Sequence, residues 1–401
     1  MIMVGDRKTR KAVLGAGLVL VSITASAQSS VTLYGIVDTT FAYVSNEASK
    51  VGSPGSKNFQ LSNGSQASSR WGITMKESLG GGTSAIATLE GGFSVTSGAM
   101  LQGSRLFGRQ AFVGLSDENY GTLTFGRQYD FGIDFVFPMT AARNFATLWG
   151  AHVGDSDNLY TSFRLNNSVK YTSANYGGVR VGAMYAFSNQ ASSGVGTGFS
   201  NDRAYSAGIT YTNASVSAAI TYTAVDNPSA GSAGGNNGSG AVFGDYGNNT
   251  NIFYLSPVTR QRILDGSARY TVGQAAFGVL YSHVTLDYSD HSAMHLDNYE
   301  ANATYRFTPV LLVGLAYVFT DGSGNGGASI RSIATGNKPK WHQVDLGAVY
   351  SLSVRTSVYL VGLYQKAAGD ASVAALNGIG GPAGSNTHKQ FAILTGIRHN
   401  F

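Results

Sequence analysis

Seven histidines, at 152, 283, 291, 295, 342, 388 and 399, are the first residues to test for chemistry. Nucleophilic catalysis needs Ser, His and an acid brought together in space, and no such arrangement can be read from positions so scattered. His291 and His295 in "HSAMH", with His283 upstream, have side chains that could hold a metal, but the segment reads as an external loop, where histidines are ordinarily just solvated. Asp155 and Asp157 in "GDSDN" lack the glycine and terminal glutamate of a calcium hand. Gly322, Gly324 and Gly327 fit G-x-G-x-x-G literally, without the helix that a phosphate-binding turn requires. The 401 residues include no Cys, which removes disulfides and thiolate sites. The expectation is a protein that is not an enzyme and uses no cofactor and no metal.

What could position fixed charge is a different matter. With 53 Gly, 22 Tyr, 20 Phe and only 12 % charged residues, the composition is not that of a helical protein. Arg7, Lys8, Arg10 and Lys11 precede the apolar run "AVLGAGLVLVSI", and Ala25-Ser26-Ala27 offers a small-residue cleavage site. Residues 1–27 therefore read as an export signal and 28–401 as the mature domain. Removing the signal takes away most of the formal charge of +5, and with it the support for a nucleic-acid partner.

The mature chain has no apolar run long enough for a transmembrane helix. It has instead segments of about ten residues that alternate apolar with small or polar, the signature of a transmembrane β-barrel. "VRVGAMYAF" sets Val179, Val181, Ala183, Tyr185 and Phe187 against Arg180, Gly182 and Met184. Sixteen such segments can be counted, from 31–43 and 70–78 to 354–364 and 388–401. Short connections such as "LGGG" and "SDENY" alternate with long ones rich in Gly, Ser and Asn, including 44–69, 129–163 and 224–261. Backbone groups cannot go unpaired in lipid, so the sheet must close and the first strand must pair with the last. The chain ends "QFAILTGIRHNF" in mid-strand, which places Phe401 at the end of the closing strand, in an aromatic girdle.

The stretches "SSVTLYGIVDTTFAYV", "SRWGITMKESLGGG", "GRQAFVGLSDENYGTLTFGRQYD", "RLNNSVKYTSANYGGVRVGAMYAF" and "GIRHNF" resemble the trimeric general diffusion porins of Gram-negative bacteria, in particular the β-proteobacterial branch. The resemblance implies an all-β transmembrane antiparallel barrel of 16 strands with an inward-folded third long loop, here 129–163. It implies a homotrimer in the outer membrane, in contact with lipid and lipopolysaccharide and inserted by the barrel assembly machinery. The implied function is a water-filled channel for passive diffusion of small hydrophilic solutes and ions.

Carried onto this sequence, the family pattern makes Arg70, Arg109 and Arg164 the basic cluster of the constriction. Alternation supports Arg70 and Arg164 facing inward and leaves Arg109 undecided. Further candidates for the wall are Lys76, Lys170, Arg180, Arg269 and Arg398 on the basic side, and Asp38, Glu90, Asp265, Glu300 and Asp345 on the acidic side. In the third loop, Asp130 and Asp134 are candidates to face the cluster, Arg143 to add to it, and Arg127 to tether the loop. The basic excess predicts weak anion preference. A secreted soluble β-protein that binds glycans through surface aromatics is the alternative.

Overall fold

The computed structural model describes residues 29–48, 54–189, 198–199, 201–228, 240–246, 253, 257–325, 334–376 and 384–401, with the side chains of 334–337 left out. The expected export signal lies outside these residues. All strands belong to one antiparallel sheet: β1 (Ser29–Ala48), β2 (Gly55–Asn63), β3 (Arg70–Gly80), β4 (Thr83–Gly92), β5 (Gln110–Asp117), β6 (Gly121–Gln128), β7 (Leu165–Thr172), β8 (Val179–Ala186) and β9 (Arg203–Thr212). It continues through β10 (Val216–Asp226), β11 (Val258–Val272), β12 (Ala275–Tyr288), β13 (Ala293–Thr308), β14 (Leu311–Asn325), β15 (Ala334–Ser351), β16 (Thr356–Ala371) and β17 (Lys389–Asn400).

The sheet closes because β1 pairs with β17, from Ile36 opposite Asn400 to Val44 opposite Ala392. On its other edge β1 pairs with β3 through Ser29–Ile36 and with β2 through Thr39–Ala48. β2 and β3 are thus two halves of one stave, and the barrel has the expected 16 staves. The stretch 44–69, expected as a loop, is instead largely strand: β1 runs on to Ala48, and β2 returns beside it. The break between the halves is closed by Asp38. Its carbonyl accepts from Gly64 N–H at 2.9 Å and Ser69 Oγ at 3.0 Å, and its carboxylate from Ala67 N–H at 2.6 Å.

Side chains alternate as a lipid-facing wall requires. Val31, Leu33, Val279, Leu346 and Leu360 are each more than half exposed on the outer face. Aromatics gather at the strand ends, with Tyr270, Tyr305, Tyr350 and Phe401 toward the short turns and Phe59, Tyr205, Tyr222, Tyr281, Tyr299 and Tyr317 toward the long loops. The terminal residue is part of the closure: Phe401 N–H donates to Gly35 O at 3.0 Å, and Gly35 N–H donates to Phe401 O at 3.1 Å.

Gly35 is needed there. A Cβ would stand 2.3 Å from the Phe401 ring and 2.7 Å from Arg70 O. Gly35→Val is expected to destabilise the seam by about 1–3 kcal/mol, the usual range for overpacking. Refolded barrels of the variant should lose their heat-resistant gel mobility at a lower temperature than the parent, and an unchanged transition would show that the seam does not depend on this contact.

Candidate pore constriction

The segment after β6 does not extend into solvent. Its short helical turns, from Gly132–Val136 to Val153–Asp155, are almost wholly buried against the inner face of β8–β16. Aromatic rings seat it in glycine gaps: a Cβ at Gly182 would lie 2.1 Å from the Phe131 ring, and one at Gly314 would lie 2.2 Å from the Phe145 ring. Phe135 approaches Gly208, and Phe145 also covers Gly347. Placing glycine inward on strands opposite an aromatic loop lets ring and sheet approach more closely than any side chain would allow.

Polar groups of the wall complete the seat. Glu300 accepts from Ala141 N–H at 2.7 Å, Gln343 donates to Gly150 O at 3.1 Å, and Asn302 donates to Met139 O at 3.1 Å. Ser282 donates to Asp157 at 2.7 Å, and His152 lies between Asp157 and Glu300. Asp155 accepts from Tyr160 N–H at 2.7 Å and Ser162 N–H at 3.0 Å, so its role is to shape the loop.

These groups give the seat a pH dependence. Burial works against charge on His152, but Asp157 and Glu300 override it and raise its pKa well above the ordinary value. Burial, then the charge of Asp157, push Asp155 up to about 8. Both folded-state values stand above the unfolded ones, so both contributions are greatest at low pH; that of Asp155 fades as pH rises toward 8 and that of His152 above the ordinary histidine range. The loop is therefore expected to loosen progressively as pH rises from the ordinary histidine range through about 8. Chymotrypsin cleavage within 131–163 of the detergent-solubilised barrel should be faster at pH 9.5 than at pH 6 once the enzyme's own pH profile is normalised, and equal rates would contradict the assignment.

The three arginines meet beside this loop. Arg109 and Arg164 lie over the Tyr129 ring at 5.8 and 5.7 Å from its centroid, and Arg70 is within electrostatic reach of both and of Glu90. Arg109 Nε donates to Glu90 at 2.8 Å, while Tyr34 donates to the other oxygen of the same carboxylate at 2.9 Å. Arg109 bonds this carboxylate and Arg70 lies within its field, while Arg164 joins the cluster over the Tyr129 ring. Arg109 Nη1 and Arg164 Nε are buried without a hydrogen-bond partner. Arg164 stands one residue ahead of β7 and Arg109 one ahead of β5, which is why alternation could not orient Arg109.

The acidic wall candidates face the barrel interior but are covered. Asp38, Glu90, Asp130, Asp265, Glu300 and Asp345 are none of them more than 4 % exposed. Asp38 caps the broken stave and accepts from Tyr359 Oη at 2.7 Å; Asp130 accepts from Ile133 N–H at 3.2 Å and Asn158 at 2.6 Å. Neither faces open lumen, because unpaired loop and stave ends need acceptors there. Asp134 alone among the acidic candidates keeps substantial exposure, and it pairs with Lys170, which is itself buried over the Phe131 ring. On the basic side Lys76, Arg143 and Arg180 are exposed, and Arg70, Arg269 and Arg398 partly so.

Arg127, expected to tether the third loop, ties other segments together instead. It donates to Gly108 O at 2.8 Å and to Asp245 at 2.6 Å; Asp245 also binds Arg105 at 2.7 Å and draws Gly240–Tyr246 to the barrel mouth. Tyr34, Tyr129 and Asp245 escaped sequence reasoning. An inward-parity glycine in an otherwise regular strand was the signal that could have located the loop's seat.

A closed antiparallel barrel with an apolar exterior, two aromatic belts and a charged loop across its interior is an outer-membrane channel. The chain belongs to the Gram-negative porins, whose family model matches residues 14–370. It is 30 % identical to an outer membrane porin protein of Bordetella pertussis over 94 % of this chain and 96 % of the relative. It is also 30 % identical to outer membrane porin protein 32 of Delftia acidovorans over 98 % of this chain and the whole of that one. Among solved structures, an anion-selective porin from Comamonas acidovorans superposes with TM-score 0.70 at 26 % identity, covering 93 % of this chain and all of the other. The protein resides in the outer membrane and forms a channel for passive diffusion of small hydrophilic solutes. The alternative of a soluble glycan-binding protein finds no support.

Proposed function

We propose that this channel prefers anions, and that Arg70, Arg109 and Arg164 are its filter, with Lys76, Arg143, Arg180 and Arg398 extending the positive field along the lumen. The observation that carries the reading is the asymmetry of cover: the acidic wall candidates are buried in structural roles, whereas Lys76, Arg143 and Arg180 are exposed and Arg70, Arg269 and Arg398 partly so, with Arg109 and Arg164 buried beside them at the loop's edge. Charge lining a low-dielectric passage concentrates counter-ions. The anion-selective relative supports the same sign.

The working form we infer is a homotrimer of exported chains, inserted by the barrel assembly machinery, and the channel has no catalytic role. Strand lengths support the trimer: β5–β8 have 8 residues each, whereas β11–β16 have 14 to 18. Eight residues tilted at roughly 45° rise only about 19 Å, less than the apolar band of about 25 Å. That low wall, with Val113 and Leu115 exposed, fits cover by a second subunit better than cover by lipid.

Purified protein inserted into planar bilayers under a salt gradient tests the reading. Conductance should rise in groups of three steps, with a reversal potential of the sign for anion preference. Folded protein with no conductance, or with cation preference, overturns it.

A further inference from the structure

We infer that the inward turn 64–69, where β2 breaks from β3, sets the width of the pore, with Asp38 as its positioning residue. Gly64 bends the chain off the sheet at a φ of +53°, where an added Cβ would stand 2.8 Å from both Ala67 O and Ser69 N. Gly64, Ser65, Gln66 and Ser69 are buried although they belong to no strand, so the turn lies against the inner wall.

Two inward side chains of β1 hold the turn from behind. Besides the bonds that close the stave, Asp38 N–H donates to Ser69 Oγ at 3.0 Å, and Ser65 N–H donates to Thr40 Oγ1 at 3.3 Å. Tyr359 on β16 bonds both Asp38 and Thr40, which fixes the pair against the neighbouring strands. A buried carboxylate that accepts from a backbone N–H and a phenol has its orientation set by both partners.

On its other side the turn holds two parts of the constriction. Ser65 O accepts from Leu148 N–H at 2.6 Å, and Leu148 lies near the middle of the loop that crosses the lumen. Ser68 O accepts from Arg70 Nε at 3.0 Å. The rings of Phe131, Phe135 and Phe145 seat the loop on β8, β9, β14 and β15, whereas the Ser65 bond ties its middle to the stave that carries Arg70. The turn therefore fixes where the loop stands relative to the basic wall. The part concerning Arg70 rests on the anion filter proposed above; the tether to Leu148 does not.

The test uses the full mature protein, with current noise and reversal potential read in planar bilayers and entry of graded neutral sugars read by liposome swelling. Leu148→Pro removes the tether's N–H at the first position of a short helical turn, where proline fits the backbone, and Leu148→Ala trims the side chain but keeps the N–H. The proline variant should spend roughly fivefold more time than the alanine variant in a noisy state of raised conductance, the factor one hydrogen bond supplies, and should admit larger sugars. Asp38→Asn keeps an oxygen for Ala67 N–H and should match the parent in every readout. Asp38→Ala, with no acceptor, should raise the noise and, by releasing Arg70, move the reversal potential toward cations. Raised noise with an unmoved potential would uphold the turn and count against the filter instead. Equal noise in the two Leu148 variants overturns the proposal, even where Asp38→Ala does not fold. An equal shift toward anions in both Asp38 variants also overturns it, because Asp38 would then act as a charge in the lumen.

Discussion

Replacing Arg70 and Arg164 together by glutamine is expected to shift the reversal potential in a salt gradient toward cations by an amount that cancels most of the parent's anion preference. The two side chains stand with Arg109 in the basic cluster at the loop's edge, so removing both leaves Arg109 neutralised by Glu90 at 2.8 Å. The stability cost should be small. Arg164's guanidinium makes a single hydrogen bond, to Thr161 at 3.0 Å, and Arg70's bonds Ser68 O at 3.0 Å. Arg109 is a different case. Both members of its pair with Glu90 are buried, and removing one member of a buried pair typically costs about 3–5 kcal/mol because the other charge is left uncompensated. Arg109→Ala should therefore fold poorly, and Arg109→Met with Glu90→Gln should recover folding while preserving the filter's sign. A reversal potential unmoved by the Arg70 and Arg164 changes would place the filter elsewhere.

Phe145→Ala should release the loop without opening the barrel. The ring is fully buried and fills the space over Gly314 and Gly347, where the wall supplies no side chain of its own. Truncating a buried phenylalanine costs about 3–5 kcal/mol. Here the loss falls on the loop's seat, because the strand pairing of β14 with β15 runs unbroken from Leu311 opposite Tyr350 to Asp321 opposite Lys340 and does not involve the ring. The expected result is larger and noisier single-channel conductance with the heat-resistance of the barrel retained. Gly314→Val should give the same phenotype from the other side of the contact, since its Cβ would meet the ring at 2.2 Å. Parent-like conductance in both variants would mean that the rings do not hold the loop.

The barrel was legible in the chain because its signal is periodic. The last strand shows this directly: Ile393, Thr395, Ile397, His399 and Phe401 are exposed on the outside, with Ala392 and Leu394 buried opposite, as alternation requires. The same rule oriented Arg70 and Arg180. It failed where periodicity stops. β2, "GSKNFQLSN", is polar and short, with only Phe59 and Leu61 to mark its outer face, so it merged into the surrounding Gly- and Ser-rich stretch. Arg109 sits one residue outside its strand, where parity left it undecided, whereas Arg164, one residue ahead of β7, was still oriented by the alternation that follows it.

Charges could be counted from sequence, but their cover could not. Asp38 and Asp130 carry the signs expected of them, yet each is taken up by backbone N–H groups whose need for an acceptor arises only in the folded chain, at a stave break and a loop turn. Asp245, binding Arg105 and Arg127 across more than a hundred residues of sequence, leaves no local trace at all.

The central claim is that the loop's seat takes the acidic wall groups out of the ion path, and one comparison tests it most directly: the reversal potential of the parent against that of Asp345→Asn. Asp345 faces inward but is fully buried beneath the loop, accepting from Gln343 at 3.1 Å, and asparagine fits the same space. The account predicts a selectivity indistinguishable from the parent's. A shift toward anions as large as the opposite shift in the Arg70 and Arg164 variant would contradict it, because a carboxylate held beneath the loop would then be steering ions as strongly as the arginine cluster at the loop's edge.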